Sequence, residues 1–230
     1  MSPMPKRSRF RLVAALAATA ALALAATAGA VVYIYKNNFS SHGEYKEIDQ
    51  VGGGKRICQE KYVPEKDKMR VSLKGERFCV YAPPIEGDSG RPDHDIVVAA
   101  SYNRGDSSDR AKKATFLAVR VRAGGESNYE LRIRPDGRNF RMYRNGDPTG
   151  LPGGSSTAVK PLGKLNTLRL RVLNDVVVGY VNREEVGRFT DPVPGQVTGR
   201  RVTFGTGFDR DVPRGPVAFF DLVKVGVPNP

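Results

Sequence analysis

The sequence predicts an all-β chain, an antiparallel two-sheet jelly-roll sandwich, preceded by one N-terminal transmembrane helix. Three observations carry this. Leu12 to Tyr35 is an uncharged, largely apolar run behind Lys6, Arg7, Arg9 and Arg11. Beyond it no helical period of useful length appears, and short alternating runs recur between turn signals about every 8–12 residues. Two of those signals, Asp136-Gly137 and Asn174-Asp175, stand between strand-like runs as hairpin turns do.

The elements follow in order. Residues 1–11 form a basic segment predicted to stay cytoplasmic. Residues 12–35 are predicted to be a signal-anchor: 24 residues at 1.5 Å each give about 36 Å, enough for a ~30 Å hydrocarbon core. Tyr33, Tyr35 and Lys36 sit at its far end as interfacial anchors, and the basic flank places the C-terminal part outside. Ala28-Gly29-Ala30 also fits a signal-peptidase site, and cleavage there gives a secreted chain instead. Residues 36–54, ending in Gly52-Gly53-Gly54, lack periodicity and read as a tether. Residues 55–230 are left for the sandwich.

Export makes Cys58 and Cys79 a disulfide pair, with no cysteine left over. Short strands are expected at Arg56–Tyr62, Met69–Leu73 and Phe78–Tyr81. Longer ones follow at Ile96–Tyr102, Thr115–Arg122, Tyr129–Arg134, Arg138–Arg144, Arg201–Phe208 and Val217–Val227. Asn103–Lys113 reads as a polar loop and Asn145–Lys164 as a long one. Asn166–Phe189 reads as two hairpins in succession.

Register follows from the turns. A two-residue Asp136-Gly137 loop pairs Arg134 with Asn139, Ile133 with Phe140, Arg132 with Arg141 and Leu131 with Met142. Each apolar residue then meets an apolar one, and a one-residue slip exposes half the core side. Arg132 and Arg141 face each other on the outer side, where like charges repel and Glu130 offsets part of the charge. The same alternation sends Arg120, Arg122, Arg134, Arg169 and Arg171 outward, with Tyr143 and Tyr180 among them. That face of guanidinium groups suits carboxylates, sulfates or phosphates, and tyrosine suits a sugar ring. The net charge of +13 fits an acidic partner. Nucleic acid is not expected, because the chain is exported and carries no reader motif.

The stretches YELRIRPDGRNFRMYRNG, NTLRLRVLNDVVVGYVNREEVGRF and VAFFDLVKV resemble laminin G-like, or concanavalin A-like lectin/glucanase, domains over about Asp95–Val227. Arg183 stands where that family often has a hairpin glycine. The resemblance implies a two-sheet jelly roll that binds sugar or protein on an exposed sheet or its rim. It also implies a search for acids. The nearest match to the glucanase E-x-D-x-x-E strand, at Glu47-Ile48-Asp49, lacks the last glutamate. Glu184-Glu185 and Glu126/Glu130 read as surface charges, so no catalytic residues are assigned. Some relatives hold calcium. Asp88, Asp93 and Asp95, or Asp106 and Asp109, are the oxygen-rich loops that suit it, and no cofactor is otherwise expected.

The reading is a membrane-anchored extracytoplasmic binding module without catalysis. Its ligand is an anionic cell-envelope polysaccharide, held by Arg120, Arg122, Arg132, Arg141, Tyr143, Arg169, Arg171 and Tyr180. The alternatives are a protein–protein interaction domain of an envelope assembly, using loops such as Asn145–Lys164, or a glycoside hydrolase-like enzyme.

Overall fold

Alternation with turn chemistry produces strands along the chain. The computed structural model describes residues 31–54, 57–74, 78–85, 93–103, 107–124, 127–212 and 215–228. Within them the strands are β1 (Val31–Asn37), β2 (Asp49–Gly52), β3 (Cys58–Val63), β4 (Lys68–Leu73), β5 (Phe78–Ala82), β6 (His94–Tyr102) and β7 (Thr115–Gly124). They continue as β8 (Ser127–Arg134), β9 (Asn139–Arg144), β10 (Gly153–Ser155), β11 (Asn166–Leu173), β12 (Val176–Val181), β13 (Glu184–Thr190), β14 (Arg201–Phe208) and β15 (Ala218–Pro228).

Among the described residues these strands make two antiparallel sheets. The seven-stranded sheet runs β10-β9-β8-β7-β14-β5-β2. The eight-stranded sheet runs β13-β12-β11-β6-β15-β4-β3, with β1 also paired to β15. Their inner faces meet in one core. Leu117, Val119, Leu131, Ile133 and Phe204 come from the first sheet, and Ile96, Val98, Leu168, Leu170 and Phe220 from the second, all at most 2 % exposed. Burying each such side chain contributes roughly 1.5–3 kcal/mol. The Cys58–Cys79 disulfide joins β3 of one sheet to β5 of the other across 21 residues of chain.

The hairpin registers are those the turns require. Arg134 pairs with Asn139, Arg132 with Arg141, and Leu131 with Met142. Leu173 pairs with Val176. The left-handed residue of the first turn is Arg138, at φ 48°, rather than Gly137. The register holds because the apolar pairing fixes it.

Three expectations are corrected. The membrane run was expected to continue to Tyr35, but Val31–Asn37 is strand β1, paired with β15 from Val31↔Pro228 to Asn37↔Val223. Residues 1–30 lie outside the described residues, and no described helix is long and apolar enough to cross a membrane. Residues 36–54 are not a featureless tether. Phe39 is fully buried, a helix spans His42–Lys46, and β2 lies on the edge of the seven-stranded sheet. Side chains rather than periodicity fix this segment: Asn37 Nδ2 donates to Glu44 O at 2.7 Å, and Ser41 Oγ accepts from Glu44 N. Gly53 takes φ 96°, and a Cβ there would stand 2.4 Å from Cys58 Sγ, so the glycine makes room for the disulfide. Finally, Asp109–Ala114, which overlaps the expected polar loop Asn103–Lys113, is a helix with Ser108 as its N-cap.

Candidate functional site

The predicted arginine face divides between the two outer surfaces of the sandwich. β7, β8 and β9 belong to the seven-stranded sheet and β11 and β12 to the eight-stranded one. Two sheets and a core about 10 Å thick therefore separate Arg120, Arg132, Arg134, Arg141 and Tyr143 from Arg169, Arg171 and Tyr180.

Arg122 joins neither group. A register shift between Val121 and Gly124 bulges β7 at this point. Arg122 takes φ 53° and is 5 % exposed. Its guanidinium donates to Asn174 O at 2.6 Å and to Asp93 Oδ1 at 3.3 Å. The bulge turns an expected outward residue into a tie between the two sheets.

On the eight-stranded sheet, Arg169 is also taken. It grips the buried Asp95 carboxylate with Nε, 2.9 Å from each oxygen, and with Nη2, and it lies 5.4 Å from the Tyr180 ring. Arg171 lies beside it on β11, directly across the ladder from Asp95 and Val178.

The seven-stranded sheet presents a different arrangement. Glu130, 2 % exposed, is the hub that sequence reading took for a surface charge. Its Oε2 accepts from Arg120 Nε at 2.7 Å and its Oε1 from Arg132 Nε at 2.6 Å. Aromatic rings hold both guanidinium planes. Arg120 lies 4.2 Å from the Phe78 ring, and Arg132 lies 4.0 Å from Phe116 and 4.5 Å from Tyr143. These planar cations gain both the ion pair and the ring contact. Both ε-nitrogens are occupied, and the terminal nitrogens have no acceptor among the described residues.

Arg132 and Arg141 sit opposite each other, as expected. Arg141 is exposed and has no carboxylate partner among the described residues. It lies over Gly153 of β10, where a Cβ would come within 3.2 Å of its Nε. Arg134 pairs with Asp209 at 2.8 Å, and its Nε is buried without an acceptor. Arg132, Arg134, Arg141, Asn139, Tyr143 and Ser155 line a cleft of about 220 Å³. Ser155 Oγ donates to Asn139 Oδ1 at 2.9 Å on its rim. Four arginines against Glu130 and Asp209 leave this face net positive.

The other candidate sites fare differently. Among the described residues no group of three or more His, Cys, Asp or Glu side chains gathers as metal ligands. Asp93 accepts from Asn174 N at 2.8 Å and Asp95 is held by Arg169, while Asp88 and Asp106 lie outside the described residues. Glu185 pairs with Arg188 on the surface. Asp191 is a buried anion that sequence reading missed. Burial alone would raise its pKa, but hydrogen bonds from Tyr129 Oη, Val193 N and Arg144 prevail and hold it below the ordinary carboxylate range.

No family model matches the chain, and no curated protein does. Solved structures do share its fold. A Bacillus subtilis protein of unknown function with a galectin-like fold is 13 % identical, with TM-score 0.57 over 86 % of this chain and 98 % of that one. A carbohydrate-binding module from Bacillus subtilis is 14 % identical, with TM-score 0.51 over 78 % and 95 %. A glycosidic hydrolase is 15 % identical, with TM-score 0.58 over 85 % and 96 %. At these identities the likeness is one of fold alone, a two-sheet antiparallel β-sandwich.

Proposed function

We propose that this chain is a membrane-anchored, extracytoplasmic carbohydrate-binding module without catalysis. Its ligand is an anionic cell-envelope polysaccharide, held on the outer face of the seven-stranded sheet. One observation carries the reading. Arg141, with no acid of its own, stands across from Arg132, whose terminal nitrogens are open, in a cleft lined by Tyr143. A carboxylate or sulfate group of a sugar chain offers what two guanidinium groups at such spacing lack. Carbohydrate binding by a structural neighbour of this fold supports the ligand class.

The Cys58–Cys79 disulfide supports an oxidising, extracytoplasmic setting. The basic segment and uncharged run at the N-terminus support the anchor. A hydrolase reading has less support. Glycoside hydrolysis uses two carboxyl groups about 5–9 Å apart, and both oxygens of Glu130, the acid at the centre of this face, already accept from arginine.

The test is co-sedimentation of the full-length chain, in detergent, with anionic and neutral polysaccharides at low and high salt. Retention by the anionic set that weakens as salt rises supports the reading, because contacts between exposed charges are screened. Equal retention by both sets, or none at low salt, refutes it.

A further inference from the structure

We propose that the edge strand β1 seats the domain directly on the bilayer, with Val32 and Ile34 entering the interfacial layer. The proposal rests on the anchoring reading above and adds to it a lipid-contacting surface.

The first observation is the junction. Strand β1 takes the last five residues of the apolar run, leaving Leu12–Ala30. Those 19 residues still give about 28 Å as a helix, close to the ~30 Å hydrocarbon core. No spacer follows, because the first ladder pair is Val31↔Pro228. The chain beyond is fixed as well: Asn37 and Phe39 are fully buried, and Asn37 Nδ2 donates to Tyr35 Oη at 2.8 Å. An anchored chain thus has no slack with which to lift β1 from the membrane.

The second observation is what β1 exposes. Val32, Tyr33 and Ile34 are consecutive large apolar residues, 61 %, 48 % and 45 % exposed, on a strand with an open edge. At about 3.3 Å per residue Val32 lies about 7 Å and Ile34 about 13 Å beyond Ala30, while the headgroup layer is about 5–7 Å deep on each side, so both enter it only with β1 lying along the surface.

The third observation is charge. Lys36 and Lys224 face each other directly across the β1–β15 ladder. Like charges so placed destabilise a pair. Neither has a carboxylate partner among the described residues, and Lys224 Nζ lies 5.3 Å from the Tyr33 ring. Anionic headgroups supply the missing countercharge to two lysines whose stems flank an apolar edge.

Tryptophan is absent from the chain, so single tryptophans report without background. V32W and I34W, with L165W as control, are reconstituted as full-length chains into vesicles of zwitterionic and anionic phospholipid carrying bromine on the acyl chains. Leu165 is 42 % exposed and precedes Asn166, which pairs with Ala100 at the opposite end of β6 from Asp95, on a strand separated from β1 by β6 and β15. The expected result is flotation of all three with the vesicles, with quenching several-fold stronger in V32W and I34W than in L165W. Flotation with all three quenched alike and weakly overturns the seat and leaves the anchor standing. A chain that fails to float, or whose mass shows loss of residues 1–30, overturns the anchor and the seat together.

Discussion

Arg141 stands directly across the β8–β9 ladder from Arg132, and Glu130 answers the charge of Arg132 alone. One of two facing cations is thus left without an acid, on a face whose other arginines are held by rings and carboxylates. Such an arrangement stores a modest repulsion that an anionic ligand relieves.

Glu130 is the acceptor for both Arg120 and Arg132, with its side chain 3 % exposed. Glu130→Gln leaves two part-buried guanidinium groups short of a counterion. We expect a loss of roughly 2–4 kcal/mol, read as a lower urea midpoint. A midpoint unchanged from wild type would show that the arginines re-pair with solvent.

The disulfide ties one sheet to the other and closes a loop of 21 residues. On the chain-entropy model, reduction removes roughly 3 kcal/mol. Thermal unfolding with and without a thiol reductant should show a clear drop in Tm.

Arg183 is exposed at φ 75° in the β12–β13 turn. A Cβ in that region of backbone space costs about 1 kcal/mol. Arg183→Gly relieves the strain but frees the unfolded chain, so a net gain of about 0.5 kcal/mol is expected by urea titration. A loss would mean that the arginine makes a compensating contact.

Asp191 gives the acid limb. Its folded-state pKa is depressed, because hydrogen bonds from Tyr129, Val193 N and Arg144 outweigh its burial. Its contribution to stability is therefore present above the unfolded carboxyl pKa of about 3.9 and lost as pH falls toward the folded value. Asp191→Asn should flatten the fall in stability below about pH 5, measured as urea midpoint against pH.

Much of the fold was legible because alternation and turn residues agree. Ile133 against Phe140 and Leu173 against Val176 follow from the turn residues and the apolar pairing together. Sheet membership was not, because alternation states whether a residue points in or out but not out of which sheet. That is why Arg169, Arg171 and Tyr180 were grouped with arginines on the opposite surface. Arg122 was lost to a bulge, which shifts the alternation without a sequence mark of its own. Strand β1 was hidden in an apolar run that reads equally well as membrane, and β10, Gly153–Ser155, offers no side-chain pattern at all. Glu130 was placed on the right face, but its burial goes with Arg120 and Arg132, which the assembled sheet holds over Phe78 and Phe116.

The central claim is that one outer face binds an anionic sugar chain. The most direct measurement is calorimetric titration of the full-length chain with polygalacturonate and with the same polymer methyl-esterified. Wild type, Arg141→Ala and Arg171→Ala, the last on the opposite face, are compared at low salt. We expect binding to the free acid only, weakened about tenfold, or 1.4 kcal/mol, by Arg141→Ala and unchanged by Arg171→Ala. Binding that survives Arg141→Ala intact, or that Arg171→Ala weakens equally, would contradict it.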